Sequence, residues 1–312
     1  MCIALLSTAH PSYSLILIDN RDEYLNRPTA PASWWPGPHS HILGGRDLLR
    51  PVHGTWLGIT KQGRIAVLTN FKEDGPPPQG VVSRGAIIRA FLTDFHSSTE
   101  AFVREVVASG VSRDAGGFSL ICGDVGKPLA VISNRAASEA EIPWIHPETA
   151  QTVGLSNAAF GDHGWKKVAD GEKMLANAIR NSVDSGESED DFIQRLIQLL
   201  STDTLNRIEE DGDLATYINQ LRNTIYVPAI GRQAELHADE IGAATKKDKV
   251  TVITHDDQIL GISGLYGTQK QTVVLVDHSG KIRFFERTLY DSDGRPVSTG
   301  QGDLNFGFAI EK

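Results

Sequence analysis

A cysteine occupies the second position of the chain, directly after the first methionine. Once Met1 is removed, Cys2 carries a thiol and a free α-amine on the same residue. An α-amine has a reference pKa of about 7.7–8.0 and a cysteine thiol one of about 8.5, so part of the amine is unprotonated near neutral pH. A neutral amine accepts the thiol proton directly or through one water, which makes this residue a nucleophile with its own base. The alternative is that Cys2 is a small, buried hydrophobic residue at the start of the first strand.

Two short apolar runs, residues 2–6 and 14–20, are separated by the turn sequence His10-Pro11-Ser12. This pattern predicts a buried β-hairpin. In an antiparallel hairpin the end of the second strand lies beside the start of the first. The second run should therefore bring the residues that follow it close to Cys2.

Four polar residues end the second run, and we call them the tetrad: Asn20, Arg21, Asp22 and Glu23. A guanidinium beside Cys2 would favour the thiolate, and a carboxylate would hold the guanidinium and the amine in place. The roles within the tetrad are open at this point. The alternative is a solvated turn with an ordinary ion pair of small energetic weight.

Two asparagines end predicted strands elsewhere in the chain. Asn70 precedes a proline-rich loop, and Asn157 ends the apolar run 152–156. A side-chain amide at a strand end can donate to the oxyanion of an acyl-transfer reaction. Asparagine also favours turns for conformational reasons, so a structural role is the alternative.

The elements that must position these residues follow from apolar periodicity. Strands are predicted at 55–60, 64–70, 118–124, 128–133, 271–277 and 281–287, and helices at 83–95, 100–108, 166–181 and 191–200. Residues 28–40 are expected to be irregular, and the polar stretch 201–257 to be a mobile insertion. This order fits an α+β fold with two sheets inside two helical layers, and equally a generic α+β fold.

Composition narrows the classes of function. The net charge of −9 argues against nucleic-acid binding, and no run reaches the roughly 20 apolar residues of a membrane span. Two cysteines suit a reducing compartment, so we expect a cytoplasmic protein. The ten histidines lack metal-ligand spacing, so we predict no metal site.

Several motifs occur in an order that resembles a known family. They are Cys2, the tetrad, Gly54-Thr55-Trp56-Leu57-Gly58, Leu68-Thr69-Asn70 and Gly154-Leu155-Ser156-Asn157. This set is similar to the NRDE family, also called the transport and Golgi organization protein family, which resembles the cysteine-type N-terminal-nucleophile (Ntn) hydrolases. The resemblance implies one domain over residues 1–312, folded as a four-layer αββα sandwich of two antiparallel sheets whose first strand presents the nucleophile.

The resemblance also implies functional residues and two kinds of function. The implied catalytic residues are Cys2, Arg21, Asp22, Asn70 and Asn157, and the implied binding residues are Asn20, Glu23, Trp34, Trp35 and Trp56. In the first function the site hydrolyses an amide or thioester and needs no cofactor. In the second the same cleft carries haem or acyl-CoA without turnover. Either function would belong to a protein of Golgi organisation, secretion and lipid or haem homeostasis, with mitochondrial or Golgi association. The alternative for Trp34 and Trp35 is that they cap the core.

The sequence departs from the hydrolase pattern at two places. The hydrolases have an arginine and an aspartate three positions apart after the nucleophile, whereas Arg21 and Asp22 are adjacent. They also use a late arginine, and Gln269 stands at the matching point, followed by Lys270. Lysine lacks the bidentate fork of arginine, so these departures argue against hydrolysis.

Overall fold

Two antiparallel β-sheets lie face to face at the centre of this computed structural model, which describes residues 1–70, 83–94, 96–206, 217–231 and 264–311. The first sheet has the spatial order β10 (Thr152–Leu155), β1 (Ile3–Ser7), β2 (Tyr13–Tyr24), β11 (Tyr266–Asp277), β12 (Lys281–Thr288) and β13 (Asp303–Ala309). The second has the order β3 (Thr29–Trp34), β4 (Ile42–Asp47), β5 (Leu57–Thr60), β6 (Arg64–Asn70), β7 (Phe118–Asp124), β8 (Leu129–Ser133) and β9 (Trp144–Ile145).

Helices cover the outer face of each sheet. The second sheet is covered by α1 (Arg84–Thr93), α2 (Thr99–Ser109) and α3 (Val111–Asp114). The first is covered by α4 (Lys166–Ser185) and α5 (Glu189–Leu200). The predicted αββα sandwich is therefore confirmed.

The strands of the first hairpin are apolar on both faces because each face meets a different core. Ala4 and Leu6 of β1 point into the core between the two sheets. Ile3 and Leu5 point the other way, into the core beneath α4 and α5. This alternation follows from the two-residue side-chain period of a strand, and it places the side chain of Cys2 on the inter-sheet side.

The tetrad differs from its prediction as a strand terminus, since β2 continues through it to Tyr24. These polar residues remain in a strand because β11 pairs with them, with Lys270 opposite Arg21 and Thr268 opposite Asp22. This pairing provides hydrogen-bond partners for the backbone groups of the tetrad, so the tetrad can remain buried in the sheet.

Residues 28–40 also differ from the irregular segment predicted there. They contain β3, which pairs with β4, and a short 3₁₀ helix, Gly37–His39. Proline is tolerated in β3 because this strand lies at the edge of its sheet.

The predicted insertion at 201–257 falls partly outside the described residues, which omit 207–216 and 232–257. In its described parts, 201–206 and 217–231, the apolar residues Leu205, Tyr217 and Leu221 are buried. Val227 also bonds to β11: its carbonyl accepts from the amide of Thr268 at 2.7 Å, and its amide donates to the Thr268 hydroxyl at 2.9 Å.

Within the described ranges, no helix has both the length and the apolar character that crossing a bilayer requires.

Candidate functional site

The register of the first sheet places Cys2 between two of the predicted site segments. β1 lies between β10 and β2, with Ala4 opposite Leu155 and Ile3 opposite Asn20. Continuing this antiparallel register brings Cys2 level with Asn157 on one side and Arg21 on the other. The hairpin and its approach to the tetrad, both predicted from the sequence, are confirmed.

The chain begins in a buried group of charges centred on Asp22. The α-ammonium nitrogen of Met1 lies 3.7 Å from Asp22 Oδ2, and Lys167 Nζ lies 3.9 Å from the same oxygen. Asp22 Oδ1 accepts a hydrogen bond from Thr268 Oγ1 at 2.7 Å. Lys167 Nζ also donates to the carbonyl oxygen of Met1. One carboxylate thus faces two ammonium groups away from water.

Burial favours the neutral form of each titratable member of this group. It raises the pKa of Asp22, and the Met1 ammonium and Lys167 oppose that shift. It lowers the pKa of the Met1 amine, with Asp22 opposing. It also lowers the pKa of Lys167, again with Asp22 opposing.

The thiol of Cys2 lies against this group and is held in its protonated form. Its Sγ donates to the backbone carbonyl of Asp22 at 3.6 Å. Burial raises the pKa of Cys2 to about 11; the nearby ammonium opposes the rise, and Asp22 and Asp19 add to it. With Met1 in place, the Cys2 nitrogen is an amide and cannot act as a base.

Arg21 points into the space between the sheets. Its guanidinium lies 4.6 Å from the centre of the Trp56 ring, a cation–π contact. Arg21 Nη1 also donates to Gln269 Oε1, and Gln269 Nε2 in turn donates to the carbonyl of Leu25 at 3.2 Å. Gln269, which stands where the resemblance implies an arginine, thus orients Arg21 as a neutral acceptor.

The strand ends that carry the two asparagines are linked to Cys2 by hydrogen bonds on the β10 side of β1. Ser156 Oγ donates to the carbonyl of Cys2 at 2.7 Å and lies 3.4 Å from Asn157 Oδ1. Thr69 Oγ1 donates to the carbonyl of Ser156 at 2.6 Å, and Asn70 follows it as the last residue of β6. Asn157 is buried and Asn70 half-buried. The structure therefore brings Cys2, Arg21, Asp22 and Asn157 together, with Trp56 against Arg21. Asn70 ends the neighbouring strand β6, but the alternation of that strand directs its side chain to the helical face, opposite Thr69.

Two members of the tetrad serve other contacts. The amide of Asn20 donates to the carbonyls of Leu200 at 2.7 Å and Ile225 at 2.9 Å, on the helical side of the sheet. Glu23 accepts from the amide of Tyr24 at 2.9 Å and lies 3.8 Å from Arg27. Asn20 thus anchors the end of α5, and Glu23 forms a local ion pair.

The tryptophan pair is not brought to Cys2. Trp34 packs edge-on against Phe308 of β13 at 4.9 Å. Trp35 is buried beneath the helices of the second sheet, where its Nε1 donates to the carbonyl of Gly44 at 3.0 Å. Their positions match the core-capping alternative rather than a ligand wall beside Cys2.

Sequence reasoning missed two charged residues at the site. Lys167 is fully buried, yet a lysine at a helix start carries no sequence signal of burial. Asp19 is also buried, and neither of its carboxylate oxygens has a hydrogen-bond partner among the described residues. Burial raises the pKa of Asp19 well above its ordinary value, and Asp22 adds to the shift. The signal for Asp19 was present, since it is an acidic residue inside an apolar strand run.

Metal and cavity features do not add to this site. Within the described residues, no three His, Cys, Asp or Glu side chains are arranged to hold a metal ion. A surface pocket lined by Thr8, Ser14 and Pro147, among others, lies at the far end of the β1–β2 hairpin from Cys2. It therefore belongs to a different surface.

The fold and the site define a class of protein: an αββα sandwich with a cysteine directly before its first strand, next to a buried carboxylate, an arginine and an asparagine. Comparison with known families shows to which family the chain belongs. The chain belongs to the Transport and Golgi organisation 2 family, whose model matches residues 1–291. The family predicted from the motifs is confirmed.

Curated relatives match almost the whole chain. A Saccharomyces cerevisiae protein described as uncharacterized is 30% identical over 314 residues, covering 94% of this chain and 93% of the relative. The Transport and Golgi organization 2 homolog of Mus musculus is 30% identical over 287 residues, covering 90% of this chain and 89% of the relative.

Solved structures that match the fold include an acylase and a hydrolase. Penicillin V acylase from Agrobacterium tumefaciens is 15% identical with a TM-score of 0.42, covering 98% of this chain and 86% of that one. A variant of conjugated bile acid hydrolase from Clostridium perfringens is 12% identical with a TM-score of 0.39, covering 99% and 92%. Likeness at this level carries no inference about the chemistry of the Cys2 site.

Proposed function

We propose that the Cys2 site hydrolyses an amide or thioester once Met1 has been removed. The observation that carries this proposal is the position of Asp22, whose Oδ2 lies 3.7 Å from the N-terminal nitrogen. A carboxylate so placed would hold an α-amine next to the thiol of the same residue. The register of the first sheet also places Arg21 and Asn157, the other proposed site residues, level with Cys2.

The proposed reaction balances with water as the only co-reactant. The free α-amine takes the thiol proton, and Sγ attacks the substrate's carbonyl carbon. The side-chain amide of Asn157, which lies level with Cys2 in the sheet register, donates to the oxyanion. The intermediate collapses, and the leaving nitrogen or sulfur takes the proton from the amine. The acyl group is now bound to Cys2 Sγ as a thioester, the acyl-enzyme. A water molecule gives a proton to the same amine and attacks this acyl-enzyme, which releases the carboxylic acid. The amine then returns the proton to the Cys2 thiolate.

Arg21 is suited to substrate binding rather than to proton transfer. Its guanidinium is fixed by Gln269 and by the face of Trp56, so its remaining donors have a set direction. A guanidinium held in this way binds a carboxylate or carbonyl with little loss of side-chain entropy.

The test compares two forms of the chain released from one fusion protein, one beginning at Met1 and one at Cys2. Each is given acyl anilides and acyl thioesters of short, medium and long chain. We expect turnover only in the form that begins at Cys2, with an acyl-enzyme visible by intact mass. Cys2→Ala should lower kcat/KM by about a thousandfold or more. Undiminished hydrolysis by Cys2→Ala would refute the mechanism.

The second candidate function is a carrier of haem or acyl-CoA in Golgi organisation, secretion and lipid or haem homeostasis. The observation that favours it is the Cys2 thiol itself, whose pKa is raised to about 11 while Met1 is present. A thiol in that state does not attack carbonyls near neutral pH. Titration of the Met1 form with haem and with acyl-CoA should then show saturable binding without product. Absence of binding to both ligands would exclude this role.

A further inference from the structure

The first sheet ends in an open edge strand. β13 is its outermost strand and pairs on one side only, with β12. The pairing keeps one register over the seven residues of β13, from Asp303 opposite Arg287 to Ala309 opposite Lys281, without a bulge. A regular edge of this length is a template on which another strand can form hydrogen bonds.

The hydrogen-bond ladder shows which backbone groups of β13 point away from the sheet. The amide of Thr288 donates to the carbonyl of Gly302 at 3.0 Å, and the amide of Ile310 donates to the carbonyl of Gly280 at 2.9 Å. Bonded positions alternate in an antiparallel pair, so the even-numbered residues of β13 turn their backbone groups towards β12. The residues that turn these groups outward are Asp303, Asn305, Gly307 and Ala309. In the described part of the chain, no other segment bonds to these outward backbone groups.

The other three sheet edges are protected against such pairing. β3 contains Pro31 and a register shift between Ala30 and Ser33. β9 is only two residues long. β10 is four residues long, and its outward amide at Gly154 donates to Glu172 Oε1 at 2.8 Å. Proline, an irregular register, a short strand and a covering side chain all hinder edge pairing, and among the described residues β13 has none of these.

The side chains of β13 carry no feature that would keep a second strand away. The half-buried apolar side chains, which pack towards the space between the sheets, are Leu304, Phe306 and Phe308. The exposed residues on the other face are small, namely Asn305, Gly307 and Ala309. The one charged side chain of β13, Asp303, accepts two hydrogen bonds from Arg287 of the same chain, at 2.7 and 2.8 Å. A second strand would therefore meet neither an unpaired charge nor a bulky exposed group.

Charge also selects the register in which two copies of β13 can pair about a two-fold axis. An axis at Phe306 places Phe306 beside its own copy and Asp303 opposite Ala309, so each outward residue meets another outward residue. An axis at Gly307 instead places Asp303 opposite Glu311. Like charges directly opposite each other are unfavourable, so the axis at Phe306 is preferred.

We infer that two copies of the chain associate through β13, antiparallel and centred on Phe306, which joins their first sheets into one continuous sheet. The partner is a second copy because the register without opposed charges is also the one in which every residue of β13 has a partner. The inference involves neither Met1 nor Cys2, since two strands, β11 and β12, separate β13 from β2.

The experiment is analytical ultracentrifugation of the full chain at concentrations from about 1 to 200 μM. Pairing through one edge buries little area, so we expect a weak dimer whose mass rises with concentration from 33.9 kDa towards twice that value. A mass that stays at 33.9 kDa at every concentration would overturn the inference. Cys2→Ala should associate to the same extent whether or not the unmodified chain hydrolyses a substrate, and loss of association in this variant would contradict the inference.

Gly307→Pro tests the outward backbone groups. Proline removes an amide that points to the partner and takes no part in the bonds to β12, so the edge strand can accommodate it. The two-fold axis doubles the loss, and the dissociation constant should rise by about tenfold or more. Gly307→Ala is the matched control, because it keeps the amide and its added Cβ meets no atom within 4 Å. Equal association of the two folded variants would contradict a backbone-paired dimer.

A disulfide tests the register. In the pairing centred on Phe306, residue 305 of one copy lies opposite residue 307 of the other, at a Cα separation of about 5.5 Å that a disulfide can span. Mild oxidation of an equimolar mixture of Asn305→Cys and Gly307→Cys should therefore give the mixed dimer in preference to either homodimer, as measured by intact mass. Cys2 and Cys122 are buried, so the new thiols should react first. Predominance of either homodimer, or the absence of any bridge, would refute the proposed pairing.

Discussion

At the scale of the residue, the state of the N-terminal nitrogen decides what Cys2 can do. With Met1 in place, the positive charge lies one residue away from the thiol, and burial keeps the thiol protonated. Without Met1, the ammonium moves onto Cys2 itself, where it favours the thiolate more strongly and can exchange a proton with it. In the proposed mechanism, hydrolysis of a single peptide bond therefore converts a buried, protonated cysteine into the nucleophile.

The first prediction concerns the reactivity of this thiol in the form that begins at Met1. Because the pKa of Cys2 is raised to about 11, alkylation by iodoacetamide near pH 8 should be slower than that of free cysteine by about a hundredfold or more. The rate should climb as the pH approaches 11. The measurement is intact mass against time in Cys122→Ala, which leaves Cys2 as the sole thiol. Rapid alkylation near pH 8 would contradict the raised pKa.

The same shift has a consequence for stability with a defined sign. An unfolded chain ionises its cysteine near pH 9, whereas folded Cys2 does so near 11. The raised pKa of Cys2 should therefore leave the free energy of unfolding unchanged below about pH 9. It should lower that free energy as the pH rises from 9 through 11, because the unfolded chain loses the thiol proton first. Cys122 acts in the same direction, since burial raises its pKa to about 12.

At the scale of the element, β11 is the strand that makes a polar tetrad tolerable inside a sheet. It contributes five consecutive buried polar residues, Thr268 to Thr272, opposite the polar half of β2. The pairing shifts register between Thr268 and Lys270, so Gln269 is the extra residue of a bulge. A bulge re-aims a side chain, and this one directs Gln269 to Arg21.

A buried ion pair next to the bulge joins the two sheets. Lys270 Nζ lies 3.3 Å from Glu286 Oε1 of β12, and both side chains are almost fully buried. The same Glu286 oxygen accepts from the amide of Ala32 in β3 at 2.8 Å. Glu286 therefore bonds to a strand of the opposite sheet as well as to its neighbour.

The second prediction follows from this pair. Glu286→Ala should lower the free energy of unfolding by about 3–5 kcal/mol, because it leaves the Lys270 ammonium buried without its partner. The double variant Lys270→Met with Glu286→Gln removes both charges but keeps an acceptor for Ala32, so it should recover most of the loss. Urea denaturation measures both. A double variant no more stable than Glu286→Ala would show that the buried charge is not the cause.

At the scale of the whole molecule, the site exists because the two sheets meet at one edge. Cys2 and Asn157 come from the margin of the first sheet, whereas Trp56 comes from the margin of the second. Thr69 of β6 bonds to the carbonyl of Ser156, and Ser119 of β7 bonds to the carbonyl of Ala158 at 3.3 Å. These bonds fix the position of Asn157 relative to the second sheet.

The third prediction tests this connection between the sheets. Thr69→Val keeps the shape of the side chain but leaves the Ser156 carbonyl without its donor, so the free energy of unfolding should fall by about 1–3 kcal/mol. If Cys2 turns over substrate, kcat should fall as well, because Asn157, next to Ser156, loses its fixed position. Thr149→Val is the matched control, since its hydroxyl bonds locally on the surface at 2.8 Å. Equal stability of the two variants would refute the role of Thr69.

Much of this arrangement could be predicted from local sequence. The apolar runs 2–6 and 14–20 define the hairpin, and the hairpin alone requires the tetrad to approach Cys2. Helices α1, α2, α4 and α5 were predicted within a few residues, since each has apolar residues at helical spacing. Strands β4 and β13 were missed. β4 contains two glycines and β13 has no fully buried residue, so both have weak patterns.

The amino-acid sequence by itself determined most of the strands and helices, how the first hairpin pairs, and that a thiol lies near a polar cluster. Only the tertiary structure decided which tetrad residues face the site, since Asn20 binds carbonyls at the end of α5 while Arg21 meets Trp56. It also decided the burial of Met1, Asp19 and Lys167. The physical reason is range: apolar periodicity is a local property of the chain, whereas desolvation and the pKa shifts it causes depend on every element packed around a charge.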